Sequence, residues 1–245
     1  MSYRVALVAG LCAVATAGAG IGAQAPKLPT VDQIVDKYVA SVGGKAAEKI
    51  TSLQGRGTVK IAEAGLSGTI EVLQKSPDKQ VTTVDIAGFG QQKEGYDGVV
   101  AWITDPQTGL REKSGGELAD VKRSAMFPRE LKMKQIYPTM TVKGQEKVGT
   151  RDTWVVVGEP ADGPPARLYF DVETGLPIRQ VVTRQSPAGP MEVDVRFEDY
   201  RAVDGVKRPF SIQQITAQFT VVIEFTEVKH NVPIDDAVFK KPSSN

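Results

Sequence analysis

Apolar residues recur along this chain with two different periods, and the switch between them marks its architecture. Beyond Pro26 and Pro29, Thr30 and Gln33 have the spacing of a capping box. Val31, Ile34, Val35, Tyr38, Val39 and Val42 then return every three or four positions until Gly43 and Gly44. This predicts one amphipathic helix at the start of the folded part, its apolar stripe turned to a core. Lys45 to Ile50 can add a helical turn. From Leu53 onward the period becomes two, the signature of strands. The clearest run sets Met191, Val193, Val195 and Phe197 against Glu192, Asp194, Arg196 and Glu198. Such a strand has one dry and one wet face, as in an antiparallel sheet with a solvated side.

Comparable runs at 54–62, 66–75, 79–86, 98–104, 139–148, 152–158, 167–171, 177–185, 206–216 and 218–228, with the run at 191–199, make about eleven strands. Turn residues favour hairpins over parallel crossovers. Asp105-Pro-Gln-Thr-Gly109 and Asp171-Val-Glu-Thr-Gly175 both open on Asp and place Gly where a positive φ is wanted, and Asp97-Gly98 and Asp204-Gly205 are further turn pairs. An EF-hand reading of the Asp-led turns lacks the extra carboxylates and the terminal Glu. From Gly116 to Tyr137 the alternation stops. Leu118, Val121 and Ala125, then Leu131, Gln135 and Ile136, predict two short helices divided by Pro128, a residue suited to a first helical position. The expected class is mainly β (α+β), with an N-terminal amphipathic helix and a short helical insert in an antiparallel sheet.

Composition narrows the class of function. At 41% hydrophobic and 24% charged residues, the 245-residue chain is globular, and an all-β unit of this length can be one domain. Thirty basic against 29 acidic residues supply no field to gather nucleic acid. The N-terminus reads as a secretory signal: Arg4, an apolar stretch from Val5 to Ala17 broken only by Thr16, then small residues to Ala25. Pro26 disfavours cleavage after Ala25, so the expected division is 1–23 signal peptide and 24–245 a single domain. A membrane anchor is the alternative, but the stretch is short and glycine-broken. Cys12 follows Leu11 in mid-stretch, which does not suit lipidation, and it leaves with the signal.

With a single His and a single Cys, most acid–base, nucleophilic and metal chemistry lacks its usual residues. There is no Gly-rich phosphate loop, H-E-x-x-H or G-x-S-x-G. His230 has Glu227 and Asp235 nearby in sequence but no nucleophile, and Asp235-Asp236 reads as a turn rather than a cation site. No enzyme, cofactor or metal is expected. The insert region is distinctive: Met126, Phe127, Met133, Tyr137 and Met140 crowd it, and from Arg111 to Lys147 basic residues outnumber acidic ones nine to five. These features fit a basic, adaptable lid that meets a lipid or an anionic membrane surface. They fit equally well methionines filling a core where a helix crosses a sheet, with charges on a solvated helix face.

The pieces Val42-Gly-Gly-Lys-Ala46, Gly95-Tyr-Asp-Gly-Val-Val-Ala-Trp-Ile-Thr-Asp-Pro-Gln-Thr-Gly109, Leu168-Tyr-Phe-Asp-Val-Glu-Thr-Gly-Leu-Pro177, Asp199-Tyr-Arg-Ala-Val-Asp-Gly-Val-Lys-Arg-Pro-Phe210 and Ile234-Asp-Asp-Ala-Val-Phe239 span most of the chain. In them, and in its order of elements, the sequence resembles the LolA/LolB-like superfamily of periplasmic lipoprotein carriers and outer-membrane lipoprotein-sorting proteins. The resemblance implies an unclosed half-barrel around a hydrophobic cavity covered by helices. It is carried by turns and strands, so it transfers scaffold and no functional residue. The resulting expectation is a periplasmic, monomeric, non-enzymatic protein that binds an acyl chain, lipid or lipoprotein, with an envelope protein or membrane surface as a further partner. Candidate wall and lid residues are Val100, Trp102, Met126, Phe127, Met133, Tyr137, Met140, Trp154, Val193, Val195 and Phe197, each of which also suits an ordinary core. The rival expectation is an interaction module that carries no lipid and docks through its sheet edge or lid.

Overall fold

The computed structural model describes residues 28–243. The segment 1–23 expected as a signal peptide, including Cys12, lies outside the described residues. Helix α1 spans Val31–Val42, and both halves of its capping box form: Gln33 N donates to Thr30 Oγ1 at 3.2 Å, and Thr30 N to Gln33 Oε1 at 2.9 Å. A 3-10 turn at Gly44–Lys49 continues it. Thirteen strands follow. They are β1 (Ser52–Ile61), β2 (Leu66–Lys75), β3 (Lys79–Ile86), β4 (Gly90–Tyr96), β5 (Ala101–Asp105), β6 (Gly109–Glu112), β7 (Thr139–Val148), β8 (Arg151–Glu159), β9 (Ala166–Asp171), β10 (Pro177–Ser186), β11 (Gly189–Val203), β12 (Val206–Ile215) and β13 (Thr220–His230). Between β6 and β7 lie α2 (Gly115–Ala125), a 3-10 turn at Arg129–Leu131 and α3 (Met133–Ile136), and a last 3-10 turn covers Asp236–Phe239.

All thirteen strands belong to one antiparallel sheet in the order β6-β5-β4-β3-β2-β1-β13-β12-β11-β10-β9-β8-β7. The topology is therefore two meanders, β1 to β6 and β7 to β13, zipped together by the β1–β13 pair. The two edges are β6 and β7, which do not pair with each other, so the sheet stays an unclosed half-barrel. These edges are also consecutive in sequence, and the helical insert is the chain's path from one to the other. Helix α2 touches β4 on one arm and β10 on the other, which only a strongly curved sheet permits.

The count of about eleven strands missed β4 and β6. Gly90-Gln-Gln-Lys-Glu-Gly-Tyr96 and Gly109-Leu-Arg-Glu112 are rich in polar residues and glycine, so they present no apolar alternation to read. They are strands because hairpin pairing to β3 and β5 satisfies their backbone. The 98–104 run is likewise moved to β5, since 97–100 forms the turn in which Asp97 Oδ1 accepts from Val99 N and Val100 N. Pro128 caps the 3-10 turn that follows it instead of occupying a first helical position.

Both faces of the sheet carry apolar residues. On the inner face, α1 (Ile34, Val35, Tyr38, Val42) packs with α3 (Met133, Ile136) against Val156, Leu168 and Phe170 of β8 and β9. On the outer face, Val81, Trp102 and Phe239 form a separate buried cluster beneath the C-terminal turn. Asp236 fastens that turn by accepting from Lys75 at 2.8 Å and Lys79 at 2.6 Å. The two Asp-led turns form as expected, with Gly109 at φ +75° and Gly175 at φ +76°. The second also docks α1: Lys37 Nζ donates to Val172 O at 2.6 Å and Ser41 Oγ to Thr174 O at 2.5 Å.

Candidate binding groove

Alternation places one set of side chains from each central strand on the inner face: Leu53 and Val59 of β1, Ile70 and Val72 of β2, Ile212 of β12, and Ile223 and Phe225 of β13. The register of β13 shows how this is kept. Arg56 faces Glu227 and Gly57 faces Phe225, so Thr226 is a bulge residue that shifts the phase and keeps both Phe225 and Val228 inside. Helices cover only part of this face. The rest is an unfilled groove in two chambers. One, of about 390 Å³, lies beneath α1 and the Arg129–Leu131 turn; the other, of about 690 Å³, lies between the β1–β4 arm and α2. Ile70, Thr82, Gln214 and Ile223 line both, so the chambers are continuous. Their volumes fall in the range of roughly 300–1,000 Å³ usual for small-molecule sites.

The structure separates the eleven candidate residues into groups. Phe127, Met133, Tyr137 and Phe197 line the smaller chamber. Phe127 and Met133 are at the same time core residues, 2% and 6% exposed, so lid and core are not alternatives at these positions. Met126, Met140 and Trp154 pack behind the chamber against the α1 cluster. Val193 faces Val182 and Val195 faces Gln180 across the β10–β11 pair, which puts both on the inner face, buried, but away from the two chambers. Val100 sits in the β4–β5 turn. Trp102 is fully buried on the outer face, its Nε1 donating to Phe239 O at 2.8 Å and its ring over Gly95, where a Cβ would come within 2.4 Å.

Sequence reasoning missed the half-buried wall residues Val72, Ile212 and Phe225, because strands with apolar residues on both faces do not reveal which side helices leave uncovered. It also missed a polar network at the floor of the smaller chamber. Arg208 meets Glu130 through Nη1···Oε2 and Nη2···Oε1, both 3.0 Å, the second an ion contact outside hydrogen-bond geometry, and the Glu130 side chain is 1% exposed. Arg208 Nε donates to His230 Nε2 at 3.2 Å, so that nitrogen is the acceptor and the proton sits on Nδ1, 3.4 Å from Asp204 Oδ2. Burial first, and the Arg208 cation second, hold the His230 pKa below its usual range. Burial likewise raises the pKa of Tyr38 and Tyr200, with Glu130's charge adding to the first, so both hydroxyls stay protonated. The Tyr200 hydroxyl donates to Pro177 O at 2.7 Å.

This network ties the insert to the sheet. Among the described residues no group of three or more His, Cys, Asp or Glu gathers as metal ligands do. The arrangement can enclose an elongated apolar body, with a few fixed polar groups at its floor and ends.

No family model matches the sequence, and no curated protein matches it. Solved structures do match. A DUF1329 family protein from Desulfovibrio piger superposes with a TM-score of 0.60 at 14% identity, covering 86% of this chain and 97% of that one. A LolA superfamily protein from Nitrosomonas europaea gives 0.59 at 18% identity, over 87% and 99% of the two chains. An outer membrane lipoprotein-sorting protein domain from Vibrio parahaemolyticus gives 0.58 at 11%, over 84% and 97%. The chain thus has the LolA/LolB-like fold.

Proposed function

We propose that this LolA/LolB-like fold, acting as one unit over 24–245, is a periplasmic carrier or binding protein that holds an acyl chain of a lipid or lipoprotein, without catalysis. One observation carries the reading: the inner face is left unfilled where its own side chains could have plugged it, with a mainly apolar smaller chamber running into a larger one that has an apolar strand wall and a polar side. An apolar wall gains about 0.8 kcal/mol for each methylene it removes from water, so an acyl chain needs no special polar anchor to be held. The secretory pattern of residues 1–23 supports an envelope location. The matched LolA superfamily and lipoprotein-sorting structures lend support at the level of fold.

Docking through a sheet edge finds less support. Edge strand β7 carries Lys143 and Lys147 and a bulge between Val142 and Gly144, and edge strand β6 has only four residues. Such devices discourage strand addition. The test is mass spectrometry of lipids extracted from protein purified from its own envelope. Recovery of stoichiometric acylated species is expected, and a lipid-free protein that binds no long-chain fatty-acid probe would overturn the reading.

A further inference from the structure

Two arginines stand where the chambers meet the insert. Arg129 lines the smaller chamber, Arg184 lines the larger, and both border a cleft of about 30 Å³ between α2 and β10, room for one water. Neither makes an ion pair among the described residues. Arg184 has no side-chain hydrogen bond there, and Arg129 has one, from Nη1 to Arg123 O at 3.0 Å. Every carboxylate near them is engaged elsewhere. Asp120 pairs with Arg123 and accepts from Gln185 N at 2.7 Å; Glu94 takes Lys113 at 2.8 Å, Glu117 takes Arg111 at 2.8 Å, and Glu130 takes Arg208. Two half-buried guanidiniums with no carboxylate in ion-pair contact repel each other and are costly to desolvate. In keeping with this, burial and then the Arg129 charge hold the Arg184 pKa below the ordinary arginine range. Arg184 opens onto the larger chamber beside Gln80, Ser124 and Gln185, on its polar side, across from the apolar wall of Val59, Ile70, Val84 and Ile223.

We propose that Arg129 and Arg184 receive the anionic group, a carboxylate or a phosphate, of an amphiphile whose acyl chain lies in the groove. The inference rests on the acyl-chain reading above and adds the charge of the ligand. Guanidinium forks match both anions bidentately, and an anion here would give the two arginines the direct ion-pair partner that neither has among the described residues. The cleft is too small for a head group, so the anion sits at its mouth, on the chamber side.

The test uses the full chain expressed with its own N-terminal segment, and four sixteen-carbon probes in competition with a fluorescent fatty acid: the carboxylate, the alkyl phosphate, the alcohol and the trimethylammonium. The expected result is that at least one anion binds tenfold or more tightly than the alcohol, and the ammonium more weakly still. Whichever anion is preferred identifies a fatty-acid or a phospholipid source. Arg184→Gln and Arg129→Gln should each lower the ratio of anion to alcohol affinity tenfold or more, bringing the anions to the level of the alcohol. Arg184→Lys should keep part of the preference. Equal binding of anions and alcohol by the unmodified protein overturns the proposal and leaves the acyl-chain reading standing, an outcome that does not depend on any variant folding. Failure of all four probes to bind overturns both.

Discussion

His230 is the only histidine in the chain, so the stability of the protein between about pH 5 and 7 reports on one side chain. In the unfolded chain it titrates near its ordinary value of about 6.5. In the fold, burial and Arg208 depress it, because protonating Nε2 would break the bond from Arg208 and set cation against cation. Below about pH 6.5 the unfolded state therefore binds more protons, and stability falls as the pH falls, until the folded-state pKa is passed. The altered carboxylates Glu63, Glu117, Asp171, Asp199 and Asp236 are all shifted downward, Asp236 to about 2, so their losses begin at lower pH. Melting temperatures are expected to be level from pH 8 to 7 and to decline toward pH 5, with His230→Gln removing most of that slope. Equal slopes in the two proteins would place its origin elsewhere. Wall and core residues should separate as cleanly. Phe127→Ala removes a 2% exposed ring and should cost about 3–5 kcal/mol of stability, read by urea unfolding. Ile212→Ser and Phe225→Ser, at half-buried wall positions, should weaken fatty-acid binding severalfold while lowering stability less.

At the scale of elements, the two Asp-led hairpin turns are sisters with different duties. In both, the Asp carboxylate accepts from backbone N–H groups of the turn, at 2.8 Å from Gln107 N and at 2.6 Å from Thr174 N. A Cβ on Gly109 would meet nothing within 4 Å, whereas one on Gly175 would come within 2.7 Å of Lys37 Cγ and 2.9 Å of Ser41 Oγ. Gly109→Ala should therefore cost only the left-handed backbone strain, about 1 kcal/mol. Gly175→Ala adds the displacement of α1 and should cost clearly more, and comparing their denaturation midpoints measures what helix docking adds. The insert has a corresponding fastening in Glu130 and Arg208. Removing either partner leaves a buried charge unpaired, so Glu130→Ala and Arg208→Ala should each cost about 3–5 kcal/mol, and the double substitution less than their sum. Additive losses in that cycle would show that the pair does not couple the insert to the sheet.

For the whole molecule, a groove open in the free state means that a ligand stabilises the fold by its own binding. A long-chain fatty acid at a hundred times its dissociation constant should raise unfolding free energy by about 2.7 kcal/mol, visible as a concentration-dependent rise in melting temperature. The apolar walls belong to strands from both meanders, with Ile70 on one and Ile212 on the other, so the rise should be lost if the β1–β13 seam is disrupted.

Sequence alone determined what depends on neighbours in the chain. The capping box at Thr30 and Gln33 set the start of α1, alternation from Met191 to Phe197 set a strand with a dry face, and Asp followed four residues later by Gly set two of the hairpins. Local periodicity and backbone preference suffice for these, because the interactions involved span a few residues. Tertiary structure decided the remainder. Polar β4 and β6 became strands only through pairing, and Trp102 went to the outer face because Gly95 opposite leaves room for its ring. Glu130 found Arg208 across 78 positions of sequence. Curvature brought β4 and β10 to opposite sides of α2 and left the inner face between them open. Whether an apolar strand face becomes core or cavity wall depends on what the rest of the chain lays over it, and alternation carries no record of that.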